Sequence, residues 1–462
     1  MPTVAVAGAA GFVGRPLVEA LARRGRVIAL SRAPRPSTAG VEWRQADLLS
    51  LRAARTALAG ADHAIYLVHS MLPADRLVQA DFEDLDLQAA DNFARACAAH
   101  GVRQIVYLGG LLPADLPPQR LSRHLRSRAE VERALAGQGT PVTVLRAGIV
   151  LGAGGASLEI LLRTVRRLPL MVCPRWTDTP AQPIGLADVV ALLDWCVGRT
   201  ETFGQVYDVG GPDVRTYRQL MRAAAALLGR RVVALPVPLL TPRLSRLWVT
   251  LVTGAPRALV EPLIESLSHP MVARDGRLQE AAGIPGVGVD EALRQAIAGA
   301  GSRATPRAFQ AAAAAPGPSL VRSVQRLPIR GPRDMRAVAG DYVRWLDARF
   351  RPLVRAVGDP AGGWRAHLGG RSGPVLLDLV PDAEMWSADR AVFTIAGGLL
   401  ADPCARGRFE LRRVLDGEAV LCSVHGFAPR LPWPLYVLTQ APLHQRVMTA
   451  FGRAAGAAPA DR

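Results

Sequence analysis

Residues Gly8-Ala9-Ala10-Gly11-Phe12-Val13-Gly14 follow directly on the apolar run Val4-Ala5-Val6-Ala7 and lead into Arg15-Pro16-Leu17-Val18-Glu19-Ala20-Leu21, whose apolar spacing is helical. A strand that ends in glycines and turns into a helix gathers bare N–H groups and the positive helix end at one point, where a pyrophosphate can sit. Glycines at this spacing also serve ordinary turns, so the reading depends on the surrounding pattern. That pattern is present to about residue 150. Strand candidates at Thr3–Ala7, Val27–Leu30, His63–Val68, Gln104–Leu108 and Val142–Leu145 alternate with helical segments such as Asp81–His100, closed by Gly101. The alternation predicts an α/β fold, a doubly wound parallel sheet. Beyond it, Gln205–Val209 reads as a further strand and Tyr217–Leu228 as a helix ended by Gly229, so residues 151–298 are expected to form a smaller lobe on the substrate side.

At 462 residues the chain exceeds one ordinary core. Between residues 299 and 320 the composition collapses to Ala, Gly, Pro and Ser, including Ala311–Ala315 and Pro316-Gly317-Pro318, which reads as a linker. A helix over Asp334–Val357, several strands and a closing helix near Leu435–Gly452 are expected after it. The clearest hairpin joins Phe409–Leu415 to Ala419–Val424 through Asp416-Gly417. The expected domains are a dinucleotide-binding unit over 1–298, with its core over 1–150, and a separate C-terminal α+β domain over 321–455 that can hold an apolar ligand against its sheet.

The formal charge of +17 would ordinarily raise nucleic acid as a partner. All 56 basic residues are arginine and none is lysine, which reads as a chain-wide compositional bias. No dense basic run occurs, so nucleic-acid binding is not expected. Five cysteines (Cys97, Cys173, Cys196, Cys404 and Cys422) form no Cys-x-x-Cys pair and read as thiols of a reducing compartment, hence a cytoplasmic location. No His/Cys/Asp spacing points to a metal. No stretch of 18 uninterrupted apolar residues supports a membrane span. The apolar but proline-interrupted segment Leu235–Leu267 leaves open a peripheral contact with a membrane or another subunit.

The end of the second strand in such a fold selects the cofactor: an acid accepts from the ribose 2′-hydroxyl, an arginine neutralises a 2′-phosphate. Ser31-Arg32 stands there, so NADP is favoured and NAD is the alternative; a merely solvated Arg32 is the competing reading. Asp47-Leu48, past Val41-Glu42-Trp43, is placed either beside the adenine or as a cap before the next helix.

Several segments together resemble the extended and atypical branch of the short-chain dehydrogenase superfamily over residues 1–298. Tyr66-Leu67-Val68-His69-Ser70 resembles its fourth-strand segment, Ile105-Val106-Tyr107-Leu108-Gly109-Gly110 its fifth strand, and Leu145-Arg146-Ala147-Gly148-Ile149-Val150-Leu151-Gly152 the loop that in relatives flanks the nicotinamide. Gln182-Pro183-Ile184 with Asp188, and Val209-Gly210-Gly211-Pro212, match motifs of the extended branch. Bacterial NAD(P)H-binding proteins akin to the accessory subunit of respiratory complex I are similar, and there the sheet domain is commonly followed by a small domain of unknown function. The resemblance implies a cofactor site of Gly8, Gly11, Phe12, Val13, Gly14, Ser31, Arg32, Asp47, Leu48, Leu67, Val68, His69, Leu108, Gly109, Ala147 and Gly148. It also implies a small-molecule or quinone-like substrate, and a link to the inner membrane or a complex there. The oligomeric state is left open.

The chain departs from the family at the reacting groups. Standard members carry a tyrosine and, four residues on, a lysine, on one helix face. This chain reads His124-Leu125-Arg126-Ser127-Arg128, and a glycine, Gly109 or Gly110, stands where a serine is usual. Either His124 donates a proton while Arg128 anchors ribose and substrate, or the pair is an ordinary helix surface on a protein that holds NADPH without consuming it, as a redox sensor or assembly factor. Some atypical members work without the tyrosine. Arg175-Trp176 is read as cleft lining or as packing.

Overall fold

The computed structural model describes residues 2–69, 77–113, 116–237, 249–250, 252–302, 320–402 and 407–457. Its contacts divide the chain into two units, Met1–Leu72 with Ala89–Gln310, and Pro73–Gln88 with Ala311–Arg462.

The first unit is built on seven parallel strands: β1 (Thr3–Ala7), β2 (Arg26–Ser31), β3 (Val41–Gln45), β4 (His63–Tyr66), β5 (Ile105–Gly110), β6 (Val142–Ala147) and β7 (Val206–Val209), in the order β7-β6-β5-β4-β1-β2-β3. Four of the five β1 residues and all four of β4 are buried, as expected of central parallel strands covered on both faces. The covering helices include α1 (Gly14–Ala22), α2 (Leu51–Leu58), α3 (Phe82–Ala99), α4 (Arg123–Ala136), α5 (Ala156–Arg167), α6 (Leu186–Cys196) and α7 (Tyr217–Leu227). Leu17, Val18 and Leu21 of α1 pack with Val189, Leu192 and Leu193 of α6 in one core with the strand residues Val4, Val6 and Val27. The expected α/β doubly wound fold is thus present. Its strand order reverses between β1 and β4, and ligands of open α/β sheets bind beyond the carboxyl ends at such a reversal.

Beyond β6, the lobe is completed by α8 (Arg257–Ser266), α9 (Arg277–Ala282) and α10 (Val289–Ser302). α10 takes in residues 299–302 of the expected linker, and 303–319 lie outside the described residues. In the segment read as a peripheral contact, 238–248 and 251 likewise lie outside them. The apolar side chains of Val260 and Ile264 on α8 are buried in a small core of their own with Val249 and Ala255. Among the described residues no helix is long and apolar enough to cross a membrane.

The second unit is an antiparallel sheet with helices, as expected of an α+β domain. Its strands are β8 (Val321–Leu327), β9 (Val354–Gly358), β10 (Trp364–Leu368), β11 (Val375–Pro381), β12 (Arg390–Gly397), β13 (Gly407–Val414) and β14 (Ala419–Phe427), ordered β9-β10-β11-β12-β13-β14-β8. The short strand Leu77–Gln79 adds to β8 in parallel. The hairpin at Asp416-Gly417 is present, with Leu415, Asp416 and Gly417 all at positive φ. Two expected helices are corrected. The one predicted to reach Val357 ends as α11 (Met335–Phe350), because Pro352 supplies no N–H and restricts the residue before it, and the chain then enters β9. The closing helix is two, α12 (Trp433–Leu438) and α13 (Gln440–Gly456).

Tyr342 of α11 sits among Trp364, Phe409 and Phe451, with ring centroids 5.0 to 5.8 Å away, at the centre of this unit's core. Alternation along β13 sends Phe409 and Leu411 into that core and Arg408, Glu410 and Arg412 to the other face. There Glu410, fully buried, accepts from Arg390 Nε at 2.7 Å and Nη2 at 3.1 Å and from Arg412 Nε at 2.7 Å.

Candidate functional site

The glycine turn is shaped by close approaches of backbone. Gly8 has φ of 84°, and a Cβ there would lie 2.9 Å from the Leu67 carbonyl oxygen, so the turn after β1 lies against the segment after β4. A Cβ on Gly14 would lie 2.2 Å from the Gly8 oxygen and 2.8 Å from Ala9 Cα, which no relaxation of a side chain relieves. Gly11 N–H donates to Gly8 O at 2.9 Å, closing the turn. Among the described residues the N–H groups of Phe12 and Val13 have no acceptor, and they stand at the N-terminus of α1. Two open N–H groups, the helix end and a surface free of side chains make a cradle that fits a pyrophosphate. The Phe12 ring reaches the segment that follows β6. It fills the space left by Gly152 and Gly155, where added Cβ atoms would lie 3.0 and 2.9 Å from its tip.

The other expected cofactor residues come from successive strand ends. Ser31 ends β2, and the exposed Arg32 guanidinium that follows makes no ion pair among the described residues. Asp47 turns back on its own loop, its Oδ1 accepting from Leu49 N–H at 3.0 Å. Leu48 is buried, its carbonyl accepting from Asn92 Nδ2 at 2.8 Å, and Ser50 rather than Asp47 caps α2. β4 stops at Tyr66, two residues short of the expected end; Leu67 N–H still bonds Ala7 O at 3.0 Å, and Val68 and His69 continue as irregular chain. Leu108 and Gly109 are the last residues of β5 before Gly110, which ends it, Ala147 ends β6, and Ala147 O accepts from Leu111 N–H at 3.0 Å. A Cβ on Gly148 would lie 3.2 Å from Gln182 O, a tight approach of this loop to the 182 segment.

His124 and Arg128 lie one turn apart on α4, whose N-terminus is capped by Ser122. The structure brings both to His69. Arg128, almost wholly buried, donates from Nη2 to His69 Nδ1 at 2.9 Å, and the His69 and His124 rings are tilted with centroids 5.1 Å apart. A guanidinium has donors only, so His69 Nδ1 must be the acceptor and its ring proton resides on Nε2. A Cβ on Gly110 would contact Arg128 Cγ at 3.5 Å, which places α4 directly on the end of β5. Two imidazoles and one guanidinium thus converge where strands β4 and β5 end.

The extended-branch segment works as a clasp. Gln182 Nε2 donates to Gly211 O at 2.7 Å while its Oε1 accepts from Ala273 N–H at 2.9 Å, and Asp188 accepts from Val287 N–H at 3.0 Å. Trp176 packs edge-on against Tyr217 with centroids 6.3 Å apart. Both line an apolar cavity among α5, α7 and α8, a feature the sequence reading did not anticipate. The four described cysteines are buried and unpaired. Burial pushes the Cys196 thiol up to about 12 and those of Cys97 and Cys422 further, so they carry no thiolate chemistry. Cys404 lies outside the described residues, and among those described no cluster of His, Cys, Asp or Glu is placed to hold a metal ion.

Residues 8–161 match the model of a family described as NAD(P)H-binding; with the strand order and the cradle, this defines the first unit as a Rossmann-like NAD(P)H-binding domain. Over 251 residues, 51% of this chain, it is 25% identical to subunit 9 of the NADH dehydrogenase [ubiquinone] 1 alpha subcomplex of Arabidopsis thaliana, mitochondrial, covering 60% of that protein. Over 112 residues, 24% of the chain, it is 31% identical to the auxiliary protein GraX of Staphylococcus aureus, covering 36% of it. The chain therefore spans less than two thirds of the length of these curated relatives. Among solved structures, an NADPH-dependent quinone oxidoreductase of Escherichia coli superposes with a TM-score of 0.50 at 21% identity, over 63% of this chain and 98% of that one. A triphenylmethane reductase of Citrobacter sp. gives 0.51 at 17%, over 64% and 99%. At these identities the likeness is one of fold.

Proposed function

We propose that the protein is an NADP(H)-dependent oxidoreductase of the atypical short-chain dehydrogenase type, in which His124 supplies the proton that a tyrosine supplies in standard members. The observation that carries this reading is the convergence of His69, His124 and Arg128 beside the ends of β4 and β5, on the same sheet edge as the glycine cradle. When bound, the reduced nicotinamide supplies a hydride. The N–H groups of Phe12 and Val13 bind pyrophosphate, and Arg32 pairs with a 2′-phosphate. Leu67, Val68, Gly109, Ala147 and Gly148 line the cofactor's path along the strand ends. Arg128 stays protonated and orients His69 through Nδ1. His124 is left as the group that holds and releases a proton near neutral pH toward a substrate oxygen. A quinone-like or small carbonyl substrate suits this chemistry and accords with the names of the quinone oxidoreductase and NADH dehydrogenase relatives.

The test is NADPH consumption by the full chain against a panel of quinones and small carbonyls. Consumption is expected, with His124→Ala lowering kcat by about 10²-fold or more and leaving NADPH affinity nearly unchanged. NADPH that binds yet is never consumed, or an unaltered His124→Ala variant, overturns the catalytic role and leaves a silent NADPH-binding sensor or assembly factor.

A further inference from the structure

Between α5, α7, α8 and the turn Arg175–Asp178 lies a cavity of about 100 Å³. Leu158, Trp176, Leu220 and Ile264 are among its walls, and among the described residues none that lines it is charged. Its threonines are already satisfied: Thr164 Oγ1 donates to Ile160 O at 2.9 Å and Thr177 Oγ1 to Pro174 O at 2.7 Å. Tyr217 is different. It is 7% exposed, lines the cavity, and among the described residues its hydroxyl has no hydrogen-bond partner. Burial pushes this phenol's pKa up, so it is a neutral donor. Native interiors seldom keep voids much larger than a water, so an apolar space with a hydroxyl in its wall is suited to a guest.

We propose that this cavity binds the apolar portion of a neutral ligand, a ring or branched group of about five carbons, with the Tyr217 hydroxyl donating to a carbonyl oxygen on it. The size follows from the comparison with an apolar cavity of about 150 Å³ that holds benzene. A neutral ligand suits this wall, because none of the described lining residues would neutralise a charge. Two connections tie the cavity to the reacting groups. Ile149 and Leu151, in its wall, belong to the loop after Gly148. Ser266 of α8 donates to Pro262 O at 2.9 Å and accepts from Ser122, the cap of the helix that bears His124, at 2.9 Å. The inference rests on the oxidoreductase reading only in taking this ligand to be part of the substrate.

The test titrates the full chain, without cofactor, with cyclopentanone and with cyclopentane, followed by ligand-observed NMR. Both bind the wild type. Tyr217→Phe, which keeps the ring, weakens cyclopentanone about fivefold, the worth of one hydrogen bond, and leaves cyclopentane unchanged. Leu220→Trp, which fills the space, abolishes both while the protein still melts cooperatively. Failure of the wild type to bind either probe, an unaltered ketone affinity in Tyr217→Phe, or undiminished binding in Leu220→Trp overturns the assignment. NADPH titration of the same samples reports on the cofactor reading separately, so either idea can fall alone.

Discussion

At the scale of single residues, the account turns on atoms that are missing. Gly14 lies so close to the Gly8 carbonyl that Gly14→Ala forces backbone apart; overpacking of this kind costs about 1–3 kcal/mol and opens the cradle. The expected outcome is a lower melting temperature and NADPH affinity reduced more than about tenfold, against a wild-type control in the same titration. The glycine spacing was legible in the sequence because a tight turn is a local demand. The Phe12 ring was not, since Gly152 and Gly155, which make room for it, are distant in sequence. His124 and Arg128 could be paired from their spacing alone. Their meeting with His69 depends on how β4 ends, which spacing does not encode.

At the scale of elements, Gln182 is the clearest joint. Its side chain holds the 211 and 273 segments together, so Gln182→Ala leaves a carbonyl and an N–H without partners and should cost about 2–3 kcal/mol in denaturant unfolding of the first unit. An unchanged midpoint would show that the clasp carries no stability. β1 has the expected bounds, and the other anticipated strands of this sheet differ by up to two residues at their ends, because uninterrupted apolar runs mark buried parallel strands well. Helix ends in the second unit were harder. The helical spacing expected to Val357 runs through Pro352, and α11 ends just before that proline, at Phe350.

At the scale of the whole molecule, the sequence announced an α/β unit followed by an α+β unit but not that Pro73–Gln88 clusters with the second. No change of composition marks that excursion. Its place is set by contacts such as Arg326 Nε to Asp84 Oδ1 at 2.8 Å and Gln88 Nε2 to His425 Nε2 at 2.9 Å. The buried Arg390, Glu410 and Arg412 group was equally hidden, since alternation identifies a polar strand face without saying that it is buried. Its arginines hold the Glu410 carboxyl well below its ordinary value of 4.5 against the opposing effect of burial. As the pH falls, the unfolded chain therefore takes up this proton first. The contribution is full above about pH 4.5 and is lost progressively below it. Glu410→Gln should cost the second unit about 3–5 kcal/mol at neutral pH and flatten the acid limb of its calorimetric stability profile. An unchanged acid limb would contradict the assignment.

The central claim is that the turn after β1 holds a dinucleotide and that Arg32 selects its phosphate. The direct measurement is a fluorescence titration of the full chain, wild type and Arg32→Ala, with NADPH and with NADH. The account predicts that the wild type binds NADPH at least about tenfold more tightly than NADH, and that Arg32→Ala removes this preference while leaving NADH binding intact. Equal or tighter binding of NADH by the wild type would contradict the role of Arg32, and binding of neither would contradict the cradle itself.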